Sequence, residues 1–141
     1  MKHIDCNLLH IKEGYVCHQV NCKGVMGAGL ARGIKTRYPT AYKDYIKAFD
    51  NKKIYLGNII VTHINNLHIV HMCGQYNYGK SKVYTNYDAF EECLVKMIKF
   101  IFNTDLVYFP YKIGCGLAGG DWTIISELIE KYLPQSIICH Y

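Results

Sequence analysis

Two glycine-rich windows in this 141-residue chain have the residue types and spacing to hold a phosphate. The first is Asn21-Cys22-Lys23-Gly24-Val25-Met26-Gly27-Ala28-Gly29-Leu30-Ala31-Arg32-Gly33, and the second is Ile113-Gly114-Cys115-Gly116-Leu117-Ala118-Gly119-Gly120-Asp121-Trp122. Eight of the twelve glycines lie in residues 24–33 and 114–120. Glycine lets the backbone approach a ligand closely, and a helix N-terminus presents unpaired N–H groups and positive potential. No Gly-Lys-Ser/Thr follows the first window, so it is not a Walker loop. No acidic residue ends a second strand about 20 residues later, so it is not a dinucleotide fingerprint. Two such loops in one small sheet can clasp a diphosphate from both sides. His18 stands three residues before Asn21. A histidine there can give a proton to a leaving oxygen or take one from water, or it can be a core ring bonded to backbone. Asp121 precedes a helical pattern, where aspartate is a favoured N-cap; a carboxylate reaching back to the loop would also orient a water.

The elements that must position these residues follow from periodicity. Strands are expected at 2–6 and at 15–20, the latter rich in β-branched and aromatic residues. A helix starts near Gly27 or Ala28, with Leu30, Ala31, Ile34 and Tyr38 on one side, and stops at Pro39. Thr40 caps the next, in which Tyr42, Tyr45, Ile46 and Phe49 recur at helical spacing. Strands at 55–63 and 67–72 are joined by Asn65-Asn66, a tight hairpin because Asn tolerates positive φ. An irregular loop spans 74–84, a helix 86–102 with Phe90, Leu94, Met97, Ile98 and Ile101 inward, and a strand 106–109. The last elements are a helix after Asp121, with Ile125, Leu128, Ile129 and Tyr132 inward, and a strand at 136–141. Strands alternating with helices predict an α/β sheet covered on both faces, with ligands at the carboxyl ends of the strands. Both glycine windows lie at such ends.

The length predicts one domain over residues 1–141. Half the residues are apolar and 19% are charged, which excludes a disordered chain. No apolar run reaches the roughly 18 residues of a membrane span, and the N-terminus does not read as a signal peptide, so a cytoplasmic protein without a membrane partner is expected. Seven Cys, an odd number without a C-x-x-C pair, suit reduced and mostly buried thiols. The Cys and His are scattered singly, so no metal site is predicted. The net charge is +5, and residues 23–53 carry eight basic residues against two acidic ones. Such a region suits an anionic partner or is a solvated helix face.

The run Val20–Ala31 resembles the first ligand loop of macrodomains, in the branch reading N-C-x-G-x-M/W-G-x-G-I/L-A. That branch includes fungal ADP-ribose 1″-phosphate phosphatases and macrodomains of bacteria and phages. Ile113–Trp122 looks like the branch's second, phosphate-binding loop, and Cys6-Asn7-Leu8-Leu9 resembles the G-D-[IL]-[LT] that begins a macrodomain. The resemblance implies a three-layer αβα macrodomain with a central mixed, mostly parallel sheet, a monomer that uses no cofactor and no metal. It also implies ADP-ribose contacts at Gly24, Val25, Met26, Gly27, Ala28 and Gly29 in the first loop. The second loop would contribute Gly114, Cys115, Gly116, Leu117, Ala118 and Gly119. Asn7, Leu8 and Tyr141 would meet the adenosine, and Asn21 would orient the distal ribose. His18 matches a histidine of the fungal phosphatases and, with Asp121, is the catalytic candidate. Tyr76, Tyr78 and Tyr87 surround the loop expected to overhang the distal ribose, and Lys23 would attract the diphosphate.

Three departures stand out. Asn7 replaces the family's adenine-contacting Asp. Ala118 stands where glycohydrolases that release terminal ADP-ribose from glutamate carry Asp, and their catalytic Lys has no clear match in Gln75–Lys82. The resemblance therefore implies first a metal-independent phosphatase acting on ADP-ribose 1″-phosphate. The alternatives are a hydrolase removing ADP-ribose from modified protein or nucleic acid, and a reader that binds ADP-ribose without turnover. A nucleic-acid-binding module using the basic region is a further reading, disfavoured by the clustered glycines.

Overall fold

Runs of β-branched and aromatic residues form a six-stranded sheet in the computed structural model, which describes residues 1–141. The elements are β1 (Lys2–Asp5), β2 (Gly14–Val20), α1 (Gly29–Arg37), α2 (Pro39–Asp50), β3 (Ile59–Ile64), β4 (Leu67–Cys73), α3 (Tyr87–Met97), β5 (Val107–Pro110), α4 (Trp122–Tyr132) and β6 (Ile137–His140). The strand order is β1-β6-β5-β2-β4-β3, and only the β3–β4 pair is antiparallel. This is the mixed, mostly parallel sheet of a three-layer αβα fold. Two apolar clusters hold it. Ile34, Ala41 and Tyr45 pack against Val16, Ile69 and Cys73 on one face. On the other face, Phe90, Leu94, Ile125 and Ile129 pack against Val70, Met72 and Phe109.

Several boundaries differ from the sequence expectations. Thr40 does not cap α2; the helix starts at Pro39, whose fixed φ suits a first helical position, and Tyr38 makes no side-chain cap bond. α3 ends at Met97, not Phe102: Phe100 N–H turns back to the Met97 carbonyl in a tighter ring, and Ile98 faces solvent while Ile101 stays buried. β3 begins at Ile59 because Gly57, at φ 88°, turns the chain first. The hairpin is as expected, with Asn65 at φ 54°. All seven cysteines are free, five of them buried, and no helix is long and apolar enough to cross a membrane.

Topology makes the site. β2 and β5 are neighbours, but the loop leaving β2 leads to α1 on one face and the loop leaving β5 leads to α4 on the other. Adjacent strands with diverging loops open a crevice at their carboxyl ends. The two glycine windows are those two loops.

Candidate functional site

Three hollows with shared walls run along the crevice. The middle one, about 250 Å³, lies between the windows: Ala28, Gly29 and Ala31 on one side, Gly114, Gly116, Leu117 and Ala118 on the other, with His18 and Gln19 contributed by β2. The hollow on the β4 side, about 350 Å³, is walled by Asn21, Val25, Gly27 and Ala28, by Leu117 and Ala118, and by Gln75, Tyr78 and Lys80 from the loop after β4. The hollow on the β6 side, about 870 Å³, is walled by Asn7, Leu8, Gly29, Tyr111, His140 and Tyr141. Every wall lies at or just beyond a strand's carboxyl end. The middle hollow suits a diphosphate, with a sugar-sized space on one side and a larger open space on the other.

Asn21 organises the first loop. Its Nδ2 donates to the Val25 carbonyl at 2.7 Å, and its Oδ1 accepts from Lys23 N–H at 3.0 Å and from the Tyr45 hydroxyl at 3.0 Å. One Nδ2 hydrogen is left for a ligand. Tyr45, fully buried on α2, also has its hydroxyl 2.6 Å from the Asn21 carbonyl and accepts from Gly24 N–H at 3.1 Å. Sequence periodicity marked Tyr45 only as a core residue. Its role in fixing the loop follows from burial, because a buried phenol needs partners.

Not every predicted residue reaches the crevice. Met26 is 1% exposed and belongs to the core. Gly24 sits under Phe49, and Gly119 against the backbone of Lys82 and Val83. Cys115 packs on the core edge, where burial pushes its thiol up to about 11. Asp121 caps α4: its carboxylate accepts from Thr123 N–H at 2.8 Å, its own N–H donates to the Tyr87 hydroxyl, and it lines none of the three hollows. Asn7 lies on the wall while its Oδ1 accepts from Leu9 N–H. Of the loop tyrosines, Tyr78 lines the hollow; the Tyr76 ring lies 4.3 Å from the Lys23 ammonium. No three His, Cys, Asp or Glu side chains assemble as a metal cluster.

His18 is 1% exposed and joined to the equally buried His71, Nε2 to Nδ1 at 2.7 Å; His71 Nε2 in turn meets Thr62 Oγ1 at 3.0 Å. Burial, reinforced by the adjacent His71, holds His18 well below the ordinary histidine range, and burial pushes His71 down to about 3. Both rings are therefore neutral near pH 7. Unfolded histidines charge near pH 6.5, so below that pH the unfolded chain binds protons that the folded chain refuses. Stability is then expected to fall as pH drops from about 6.5 toward about 3 for His71, by about 1.4 kcal/mol per pH unit for that ring, with His18 acting in the same direction. Urea midpoints at pH 7 and pH 5 check this; equal midpoints would mean that the rings charge within the fold.

Lys80 is the residue that sequence reading missed. No motif singled out a lysine in the 75–82 loop, yet Lys80 is the one charged side chain on the wall of the Asn21 hollow. Only the path of the loop, held by the Gln75–Thr85 bridge and by Tyr84 N–H donating to the Ala118 carbonyl, brings it there.

Comparison with known proteins agrees with this geometry. A family model for the Macro domain matches residues 17–129. A DNA ADP-ribosyl glycohydrolase of Mycobacterium tuberculosis is 27% identical over 133 residues, which is 92% of this chain and 37% of that protein. The chain thus spans little more than a third of the length of this relative. The macrodomain of Thermus aquaticus DarG superposes with a TM-score of 0.82 at 22% identity, covering 99% of this chain and 96% of that one. Thermosipho africanus DarTG, solved in complex with ADP-ribose, superposes with a TM-score of 0.79 at 19% identity, covering 99% and 41%. With its matching family model, sheet order and paired glycine loops, this chain belongs to the Macro domain family.

Proposed function

We propose that the chain binds ADP-ribose along the crevice and hydrolyses the bond joining the distal ribose to a macromolecule, with ADP-ribosylated DNA as the substrate. The diphosphate sits in the middle hollow, the distal ribose beside Asn21, and the adenosine in the open hollow by Asn7 and Tyr141. The observation that carries the hydrolase reading is the convergence of Asn21 and Lys80 on one hollow. In the reaction a water oxygen bonds to the anomeric carbon, the bond to the macromolecule breaks, and the leaving atom takes a proton. Asn21 orients the sugar by its free Nδ2 hydrogen, while Lys80, a positive group with three donors, stabilises charge on the leaving atom. The choice of DNA is supported by the activity for which the mycobacterial and Thermus relatives are named.

A second reading, removal of phosphate from ADP-ribose 1″-phosphate, is favoured by the His18 ring on the wall of the middle hollow. One assay separates the readings. The protein is incubated with ADP-ribosylated DNA, ADP-ribosylated protein and ADP-ribose 1″-phosphate, and released ADP-ribose and phosphate are measured separately. ADP-ribose release from DNA is expected; phosphate release alone would make the second reading correct. Calorimetry should show one ADP-ribose bound in the micromolar range, roughly −8 kcal/mol. Binding without any turnover would leave a reader.

A further inference from the structure

We propose that Thr62 and His71 are positioning residues that fix His18 as an Nδ1–H hydrogen-bond donor to an anionic oxygen in the middle hollow. The proposal adds a specific donor to the ADP-ribose-binding reading and rests on it for the identity of the anion.

Three buried side chains on three neighbouring positions of the sheet form one chain. Thr62 on β3 pairs in register with Ile69 on β4, and His71 on β4 pairs with His18 on β2. Thr62 and His71 are fully buried and His18 is nearly so. The Thr62 hydroxyl has one side-chain neighbour within hydrogen-bond distance, His71 Nε2. A buried O–H seeks an acceptor, so Thr62 donates to that nitrogen, which then carries no hydrogen. A neutral imidazole has one N–H, so the hydrogen of His71 lies on Nδ1 and is donated to His18 Nε2. That nitrogen accepts, and the single hydrogen of neutral His18 is therefore on Nδ1.

His18 Nδ1 has no partner in the protein, although it is fully buried. His18 is one of the residues that wall the hollow between the two glycine loops. Buried donors are normally satisfied, so an orphan N–H on a residue that walls a cavity suited to a diphosphate points to an acceptor supplied when the ligand seats against that residue. Its neighbour Gln19 shows the same trait with opposite sign. Gln19 Nε2 donates to Gln75 and Thr85, while its buried Oε1 is unpartnered. The residues that wall the hollow thus include one buried unmatched donor and one buried unmatched acceptor. The tautomer of His18 decides which of the two it is, because the alternative Nε2–H form would present a lone pair to an anion. His18 is then a neutral donor that needs no charge of its own, in keeping with a ring this deeply buried.

Long-range ¹H–¹⁵N spectra of the unmodified protein test this directly. The expected signature is an Nδ1–H tautomer at both His18 and His71 near pH 7, with the His18 Nδ1–H resonance shifting when ADP-ribose is added. An Nε2–H tautomer at His18, or an Nδ1–H signal indifferent to a ligand that does bind, overturns the proposal. Inorganic diphosphate is titrated separately. A chain that ignores ADP-ribose but whose His18 responds to diphosphate keeps the donor and loses the ADP-ribose reading. Thr62→Val removes the donor at nearly the same volume and should mix the His18 tautomers and weaken ADP-ribose about 10-fold, while Thr62→Ser should restore both. His18→Phe should weaken binding by about 10- to 100-fold, the scale of one hydrogen bond to a charged group. Full binding by Thr62→Val with an unchanged spectrum would show that Thr62 does not set the tautomer.

Discussion

Gly27→Val and Gly116→Val are expected to lose ADP-ribose binding by more than about 100-fold while the domain stays folded. A Cβ built at Gly116 meets nothing within 4 Å, and one at Gly27 meets only Val25 Cγ1 at 3.4 Å, an ordinary contact. Neither position has positive φ, so the backbone accepts a side chain. Both residues nonetheless wall the crevice. Their lack of a side chain is unexplained by the protein's own packing and is explained by a ligand that must lie against the backbone. In the proposed mode a side chain at either position pushes the distal ribose or the diphosphate off the loop backbone, and two charge-assisted bonds lost at about 1.5–3 kcal/mol each give the expected factor. Gly120 is the contrast. A Cβ there falls 2.6 Å from the Gly114 carbonyl oxygen, a backbone atom that cannot step aside, so Gly120→Val should unfold the second loop. Calorimetry and a thermal melt on the three variants decide the matter. Wild-type affinity in Gly27→Val or Gly116→Val would mean that these loops do not cradle the ligand.

Lys80→Met should lower ADP-ribose release from DNA by about 10²–10⁴-fold, the range for loss of a positioned proton-transfer or charge-stabilising group. Binding of ADP-ribose should change little, because in the proposed mode the diphosphate lies between the glycine loops while Lys80 lines the neighbouring hollow beside Asn21. Lys82→Met, two residues on and off the wall, should turn over as the parent does. Equal rates in the Lys80 variant and the parent would remove this residue from the chemistry and leave Asn21 and His18 as the groups to examine. A parallel fall in affinity and rate would instead mean that Lys80 only holds the substrate.

What the sequence determined by itself was local. The two glycine windows, the Asn65 turn and the Asp121 cap are set by residues a few positions apart, and most of the apolar stripes read the same way in isolation as in the fold, Phe49 and Ile98 being the exposed exceptions. That both windows lie at carboxyl strand ends followed from the alternation of strands and helices, whereas their adjacency came only with the sheet order that sets β5 beside β2. Ends of elements were less legible: Pro39 displaced Thr40 at the start of α2, and tightening turns closed α3 early. The tertiary structure alone decided the polar interior. Thr62, His71 and His18 carry no shared spacing, and they meet because the sheet order β2-β4-β3 lays three separate strands side by side. Tyr45 looked like any core aromatic until α2 set its hydroxyl beneath the Asn21 loop. Lys80 sat in a loop without periodicity, and Asp121 answered to the helix it starts. Periodicity reports which face of an element is apolar, whereas the partner of a buried polar group is chosen by distances between elements that the chain does not order in sequence.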